Sequence, residues 1–293
     1  MDADLDTLCT VVYCTADDLL PEAKDNARRC VSDAEVVTLC VAQAIMGICS
    51  DRRFLAVAAK RLRHLFPLLP SQPAYFKRRR RLADAIEWLM AHFAAQSPGA
   101  QDDLLLIDST PVECARSRET VRRSALADVA GYGWCAAHSR WFWGLRLYLI
   151  TTAEGMPVIW GLAHPGIGER EVTRALLERD HHLIRGGQVI LGDKGFAGRD
   201  FEDFITGGLG SHLIRPDRKD EPARFGKLAR QRQWIEAIID TLKGQLTLEA
   251  HGGRTLAGVY ARVAARLLAL AAAIWHNWRT GAPVKRSLLA YDH

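Results

Sequence analysis

Behind Ser32-Asp33-Ala34-Glu35, which reads as an N-cap with Glu at N3, the apolar residues Val36, Leu39, Val41, Ala44 and Ile45 recur at helical spacing. The same texture runs from Leu5 to about Ala95 and predicts an all-helical N-terminal portion. The three prolines of residues 65–73 (LFPLLPSQP) interrupt it, and a helix is expected to resume over residues 75–93. Residues 96–101 (QSPGAQ) read as a linker.

Beyond that point the pattern changes. Leu104-Leu105-Leu106-Ile107 is a continuous apolar run of the kind buried on both faces of a sheet, and it ends in Asp108. Residues 140–152 alternate, with Trp141, Trp143, Leu145, Leu147 and Leu149 against Gly144, Arg146 and Tyr148. Glu154-Gly155 then turns the chain and residues 156–162 return, which predicts a hairpin. A helix over 169–184 is closed by Gly186-Gly187. The strand Gln188-Val189-Ile190-Leu191 follows, and it leads into Gly192-Asp193-Lys194-Gly195. Residues 199–205 predict a helix, 211–216 a short strand, 225–249 a long helix carrying Glu236, and 256–278 a last long helix. This order implies an α/β fold: a ribonuclease H-like mixed sheet flanked by helices, preceded by an all-helical N-terminal region. The expected divisions are 1–95 for the helical region, 102–280 for the α/β domain and 281–293 for a tail.

Composition narrows the chemistry only a little. A net charge of +5 and a pI near 8.9 are mildly basic, but the distribution is uneven. Lys77-Arg78-Arg79-Arg80-Arg81 is an unbroken cationic run, and between Arg215 and Arg232 cations outnumber acids, so either stretch offers a footprint for a phosphate backbone. The cysteines form no C-x-x-C pair and are odd in number, which suggests neither a zinc site nor a disulfide framework. The longest uninterrupted apolar run, Leu267 to Trp275, is far short of the roughly 20 residues a membrane span needs. The amino terminus carries Asp2, Asp4 and Asp6 rather than the cations of a signal peptide. A cytoplasmic protein with no membrane partner is expected.

Two parallel neighbouring strands end at the same sheet edge, so Asp108 and Asp193 are expected side by side. Such a pair is costly unless protonated, paired or metal-bound, and hard oxygen ligands suit Mg²⁺, with Mn²⁺ as a substitute. On the long helix Leu228, Ile235, Ile238, Ile239, Leu242 and Leu246 form one apolar stripe. Arg232, Glu236 and Lys243 fall beside it, so Glu236 is a candidate third metal-binding acid. Helical i,i+4 charge pairing is the alternative meaning of that spacing.

The segments Ile107-Asp108-Ser109-Thr110-Pro111-Val112, Gly192-Asp193-Lys194-Gly195-Phe196 and Arg232-x-x-Ile235-Glu236 with Leu242-Lys243 resemble the transposases of bacterial insertion sequences, most closely the insertion-sequence-982 family. Residues 62–70 (LRHLFPLLP) and the strand Phe142-Trp143-Gly144-Leu145-Arg146-Leu147 share the likeness. The broader insertion-sequence-4 type pattern also expects an Arg and a Lys where Arg232 and Lys243 stand, and a Tyr where this chain has Ala229. The resemblance implies a DDE transposase, with Asp108, Asp193 and Glu236 as catalytic acids holding two divalent cations. It further implies that the protein binds the terminal inverted repeats of its own element, cuts DNA and transfers strands. Lys194, Arg232 and Lys243 are then candidates for the scissile phosphate, and Lys77, Arg78, Arg79, Arg80 and Arg81 for gripping DNA from a DNA-binding or dimerisation region. A homodimer or higher oligomer on DNA, associated with the bacterial nucleoid, is implied. Two alternatives share the sequence features: a nuclease of the same fold that only hydrolyses, and a catalytically silent DNA-binding relative. Trp141 and Trp143 are expected to pack on the sheet rather than stack on bases, and His138, His181 and His182 to be ordinary surface or satisfied histidines.

Overall fold

The computed structural model describes residues 4–21, 30–135, 139–222, 224–225, 228–282, 288 and 291, so His138 lies outside the described residues, as does most of the tail. The chain divides into two compact units, residues 1–97 with 240–293, and residues 98–239.

The first unit is helical. It contains α1 (Leu5–Leu19), α2 (Asp33–Ile45), α3 (Asp51–Arg61), α4 (Gln72–Arg81), α5 (Ala83–Ala95) and α10 (Leu256–Thr280). Three of the starts show a local cause in a serine cap. Ser32 and Glu35 complete the capping box expected of α2, Ser50 caps α3, and Ser71 caps α4 with Pro73 accommodated in its first turn. The helix expected over 75–93 is two helices, because the backbone leaves helical geometry at Leu82. Helix α10 is long and apolar enough to cross a membrane, yet most of its residues are buried against α2 and α5, as in a core helix.

A charged cluster lies inside this unit. The Asp51 carboxylate accepts hydrogen bonds from Arg79 Nη2 at 2.9 Å and Arg262 Nη2 at 2.7 Å, and Arg79 Nη1 reaches Gln43 Oε1 at 3.1 Å. The Arg79 guanidinium also lies 4.9 Å from the centre of the Tyr75 ring. Only 2% of Arg79 is exposed.

The second unit is built on a curled mixed sheet made of β1 (Leu104–Ala115), β2 (Gly131–Cys135), β3 (Arg140–Thr152), β4 (Pro157–Ala163), β5 (Val189–Leu191) and β6 (His212–Ile214). The lateral order is β2-β3-β1-β5-β6, with β4 also paired to β3. Strands β1 to β4 join antiparallel, while β5 and β6 add in parallel after crossovers. Helices α6 (Arg118–Arg122), α7 (Glu169–Arg179), α8 (Arg199–Asp203) and α9 (Ala229–Lys243) complete the inventory, and the unit boundary falls within α9. The fold is the expected α/β, ribonuclease H-like mixed sheet with helices beside it and a helical region before it.

The alternation read in the sequence defines the core. Leu105 and Ile107 of β1, Tyr148 and Ile150 of β3, Ile159 of β4 and Ile190 of β5 point to one face, where Val172, Leu176 and Leu177 of α7 cover them. The helices expected over 169–184 and 225–249 are the shorter α7 and α9, and other features differ from expectation as well. Strand β1 does not stop at Asp108 but runs on to Ala115, because Ser109 to Glu113 keep pairing with Tyr148 to Gly144 of β3. Pro111 is tolerated because β5 accompanies β1 only as far as Leu106, which leaves the other edge without a ladder to break. Strand β2 and the short helix α6 were not expected. At the β1 bulge Gly144 is obligatory in the present packing, since a Cβ there would stand 2.1 Å from the Val112 carbonyl oxygen.

Candidate active site

The parallel ladder between β1 and β5 pairs Leu106 with Leu191, so Asp108 and Asp193 each lie two residues past the last pair. Asp193 lies past the end of β5, at the start of the turn that follows it, where its negative charge acts on Asp108. Local hydrogen bonds fix them: Asp108 Oδ1 accepts from the Ser109 N–H and Asp193 Oδ1 from the Gly195 N–H, both at 2.7 Å. The second bond shapes the turn Lys194–Phe196 that follows β5.

Asp108 is half-buried, and its carboxyl is raised from 3.8 to about 7. Desolvation is the largest cause, and the negative charges of Asp193 and Glu169 add to it. The Ser109 N–H and the Arg232 cation work in the other direction.

Glu169 is a member of the site that sequence reasoning missed. It is the first residue of α7, and its Oε1 accepts from Ser109 Oγ and from Arg146 Nη1, each at 2.8 Å. Arg146 Nη1 is also 3.1 Å from Ser109 Oγ, and Arg146 Nη2 donates to the Trp134 carbonyl at 3.0 Å. A Cβ on Gly195 would lie 2.8 Å from both Asp193 Oδ1 and Glu169 Oε2, so these two acids close around the turn and a side chain there would displace them. The available signal was positional, an acid opening the helix after the hairpin, with an Arg at an alternating position of β3.

Glu236 is placed differently. It sits on α9, half of its side chain exposed, with Oε1 3.7 Å from Arg232 Nη2. The Arg232 charge also acts on Asp108, lowering its carboxyl. Among the described residues no three of His, Cys, Asp and Glu converge tightly enough to hold a metal ion. Ile235, Ile238, Ile239, Leu242 and Leu246 are buried as the stripe requires. Lys194 is exposed beside Asp193, and Lys243 is half-exposed in the last turn of α9.

The cationic stretches divide on inspection. In 77–81, Lys77, Arg80 and Arg81 are exposed, and Arg78 is held by Asp33 at 2.6 Å and by the Val31 carbonyl. Arg79 must be withdrawn from any surface footprint, because its charge is buried against Asp51. Arg215 is withdrawn likewise: it is 2% exposed and bonded to Glu202 and Glu221, so it braces the segment after β6. His181 and His182 are exposed, as expected. Trp143 is 5% exposed and packs as expected, but Trp141 is 66% exposed and does not.

Strand order and paired aspartates together define a ribonuclease H-like α/β protein with an all-oxygen acidic site. Residues 99–272 match the family described as Transposase DDE domain, and the chain belongs to that family. Among curated proteins none matches. Of solved structures, the chain is similar to a piggyBac transposase synaptic complex with hairpin DNA, at 10% identity and a TM-score of 0.47 over 98% of this chain and 76% of that one. It is also similar to a pre-cleavage Mos1 transpososome, at 13% identity and a TM-score of 0.21 over 89% of this chain and 81% of that one.

Proposed function

We propose that the protein is the DNA transposase of a bacterial insertion sequence, of the insertion-sequence-982 type, which binds the terminal inverted repeats of its element and catalyses cleavage and strand transfer. The carrying observation is that Asp108 and Asp193 both follow the paired ends of β1 and β5 and interact by charge, within the family-matched segment. An aspartate raised to about 7 beside two further carboxylates is a site short of positive charge. Its donors are all oxygen, which fits Mg²⁺, or Mn²⁺ in its place. Such cations, when bound, supply a lowered pKa for the attacking water or 3′-hydroxyl and offset charge on the leaving oxygen.

In this reading Asp108 and Asp193 would hold one cation, and Asp108 and Glu236 the other. The exposed Arg232–Glu236 contact is worth about 1 kcal/mol or less, so exchanging it for another partner costs little. Arg232, Lys194 and Lys243 bind the scissile phosphate, Arg by its fork and Lys as a point charge. Lys77, Arg78, Arg80 and Arg81 contact the DNA backbone from the helical region. The protein works as a homodimer or higher oligomer on DNA, in the bacterial cytoplasm at the nucleoid.

The test is Mg²⁺-dependent cleavage of DNA carrying the element's own ends. Asp108→Asn, Asp193→Asn and Glu236→Gln are each expected to abolish cutting while DNA binding persists, and retained cutting removes that residue from the site. Joined products with a target plasmid distinguish transfer from hydrolysis alone.

A further inference from the structure

Strands β2 and β3 form a hairpin whose two faces differ sharply. Cross-strand partners share a face, so the register Tyr132↔Trp143 and Trp134↔Trp141 collects four aromatic rings on one side, while Gly133, Phe142 and Cys135 occupy the other. The Phe142 side is buried. On the opposite side Tyr132, Trp134 and Trp141 are 57%, 46% and 66% exposed, and the two indoles meet edge-on with centroids 5.5 Å apart. Three large rings left in water on one short hairpin are costly to keep unless something covers them.

The surroundings favour one kind of cover. A cleft of 300 Å³ opens beside the rings, lined by Arg116, Val121, Tyr132, Arg140, Trp141 and Trp143 among others. Arg116 and Arg140 approach the Glu113 carboxylate, at 3.2 and 3.7 Å. Helix α6 and its end add Arg118, Arg122 and Arg123 against Glu119 alone. Flat aromatic faces near the arginines of α6 suit a nucleobase with its phosphate. The hairpin is also tied to the acidic site, because Arg146 donates to the Trp134 carbonyl through one nitrogen and to Glu169 and Ser109 through the other.

We infer that the Tyr132, Trp134 and Trp141 face, with Arg116 at its edge, is a stacking platform for unpaired DNA bases near the catalytic acids. It serves a strand that has left the duplex rather than the duplex itself. This rests on the DNA reading above and adds the substrate form that the site handles.

The experiment compares binding of a single-stranded thymidine oligonucleotide of about 20 nucleotides with a blunt duplex of the same length, by fluorescence anisotropy of the labelled DNA. Trp141→Ala and Trp141→Leu are expected to weaken single-strand binding about tenfold and duplex binding less than about twofold, while Trp141→Phe, which keeps a π-face, stays near wild type. A normal melting temperature for Trp141→Leu and Trp141→Phe keeps the comparison about contacts. Equal losses on both DNAs, no loss on either, or a change of oligomeric state on sedimentation that marks the face as a contact between copies overturns the platform. If the wild-type protein binds neither DNA, the functional reading itself fails.

Discussion

Asp108 and Asp193 each stand two residues beyond Leu106–Leu191, the last pair that joins parallel strands β1 and β5. Asp193 thereby comes near enough for its negative charge to act on Asp108. The repulsion joins desolvation at Asp108, and its carboxyl rises to about 7.

That rise makes stability depend on pH in a definite direction. Below 3.8 Asp108 is protonated whether the chain is folded or not, whereas between 3.8 and about 7 the folded chain holds a proton that the unfolded chain has released. The unfolded state then binds fewer protons, so this residue's contribution falls as pH rises through the window and levels off above it, by at most about 4 kcal/mol. Metal-free wild-type protein and Asp108→Asn, compared by thermal melting from pH 4 to pH 8, should diverge as pH rises, with the variant the more stable at pH 8. Parallel curves would count against a shifted Asp108.

Glu169 is expected to act through its acceptor oxygen and through its charge, and two variants separate these. Glu169→Ala strands the hydrogens of Arg146 and Ser109 and should cost about 1–3 kcal/mol. Glu169→Gln keeps an acceptor and removes a negative charge beside Asp108, so it should cost less and move the Asp108 midpoint below about 7. Equal losses of stability and an unmoved midpoint would assign Glu169 to packing alone.

The cationic run should split in two under mutation. Arg79→Ala leaves part of a buried carboxylate unanswered and should cost about 3 kcal/mol or more, whereas Arg80→Ala and Arg81→Ala should change stability by no more than about 0.5 kcal/mol. In DNA binding the order reverses: each exposed cation removed should lower the slope of log affinity against log salt by about 1. A stable Arg79→Ala, or an unchanged slope for Arg80→Ala with Arg81→Ala, would contradict the division.

These assignments show where the sequence could be read and where it could not. Period-two alternation in β3 and β4 and the apolar runs before Asp108 and Asp193 reflect which faces are buried, and the sheet and its paired acids follow from them. Strand β2 was hidden because Gly131 and Gly133 look like turn residues, although they are the positions facing inward under His164, Phe142 and Pro165. The burial of Arg79 was invisible because its partner Asp51 is 28 residues away in sequence, and a run of like cations otherwise signals solvent. Glu169 was overlooked for the same reason, since its link to Ser109 spans 60 residues. Trp141 and Trp143 follow one strand alternation and lie on one face, yet only the second is covered.

The central claim, that Asp108 and Asp193 jointly hold a divalent cation, is tested most directly by calorimetric titration of Mn²⁺ into the protein. The expected result is binding at pH 8 that weakens toward pH 6 as Asp108 takes up its proton, and that falls at least about tenfold in both Asp108→Asn and Asp193→Asn. Binding unchanged in the double variant would place the cation elsewhere and contradict the account.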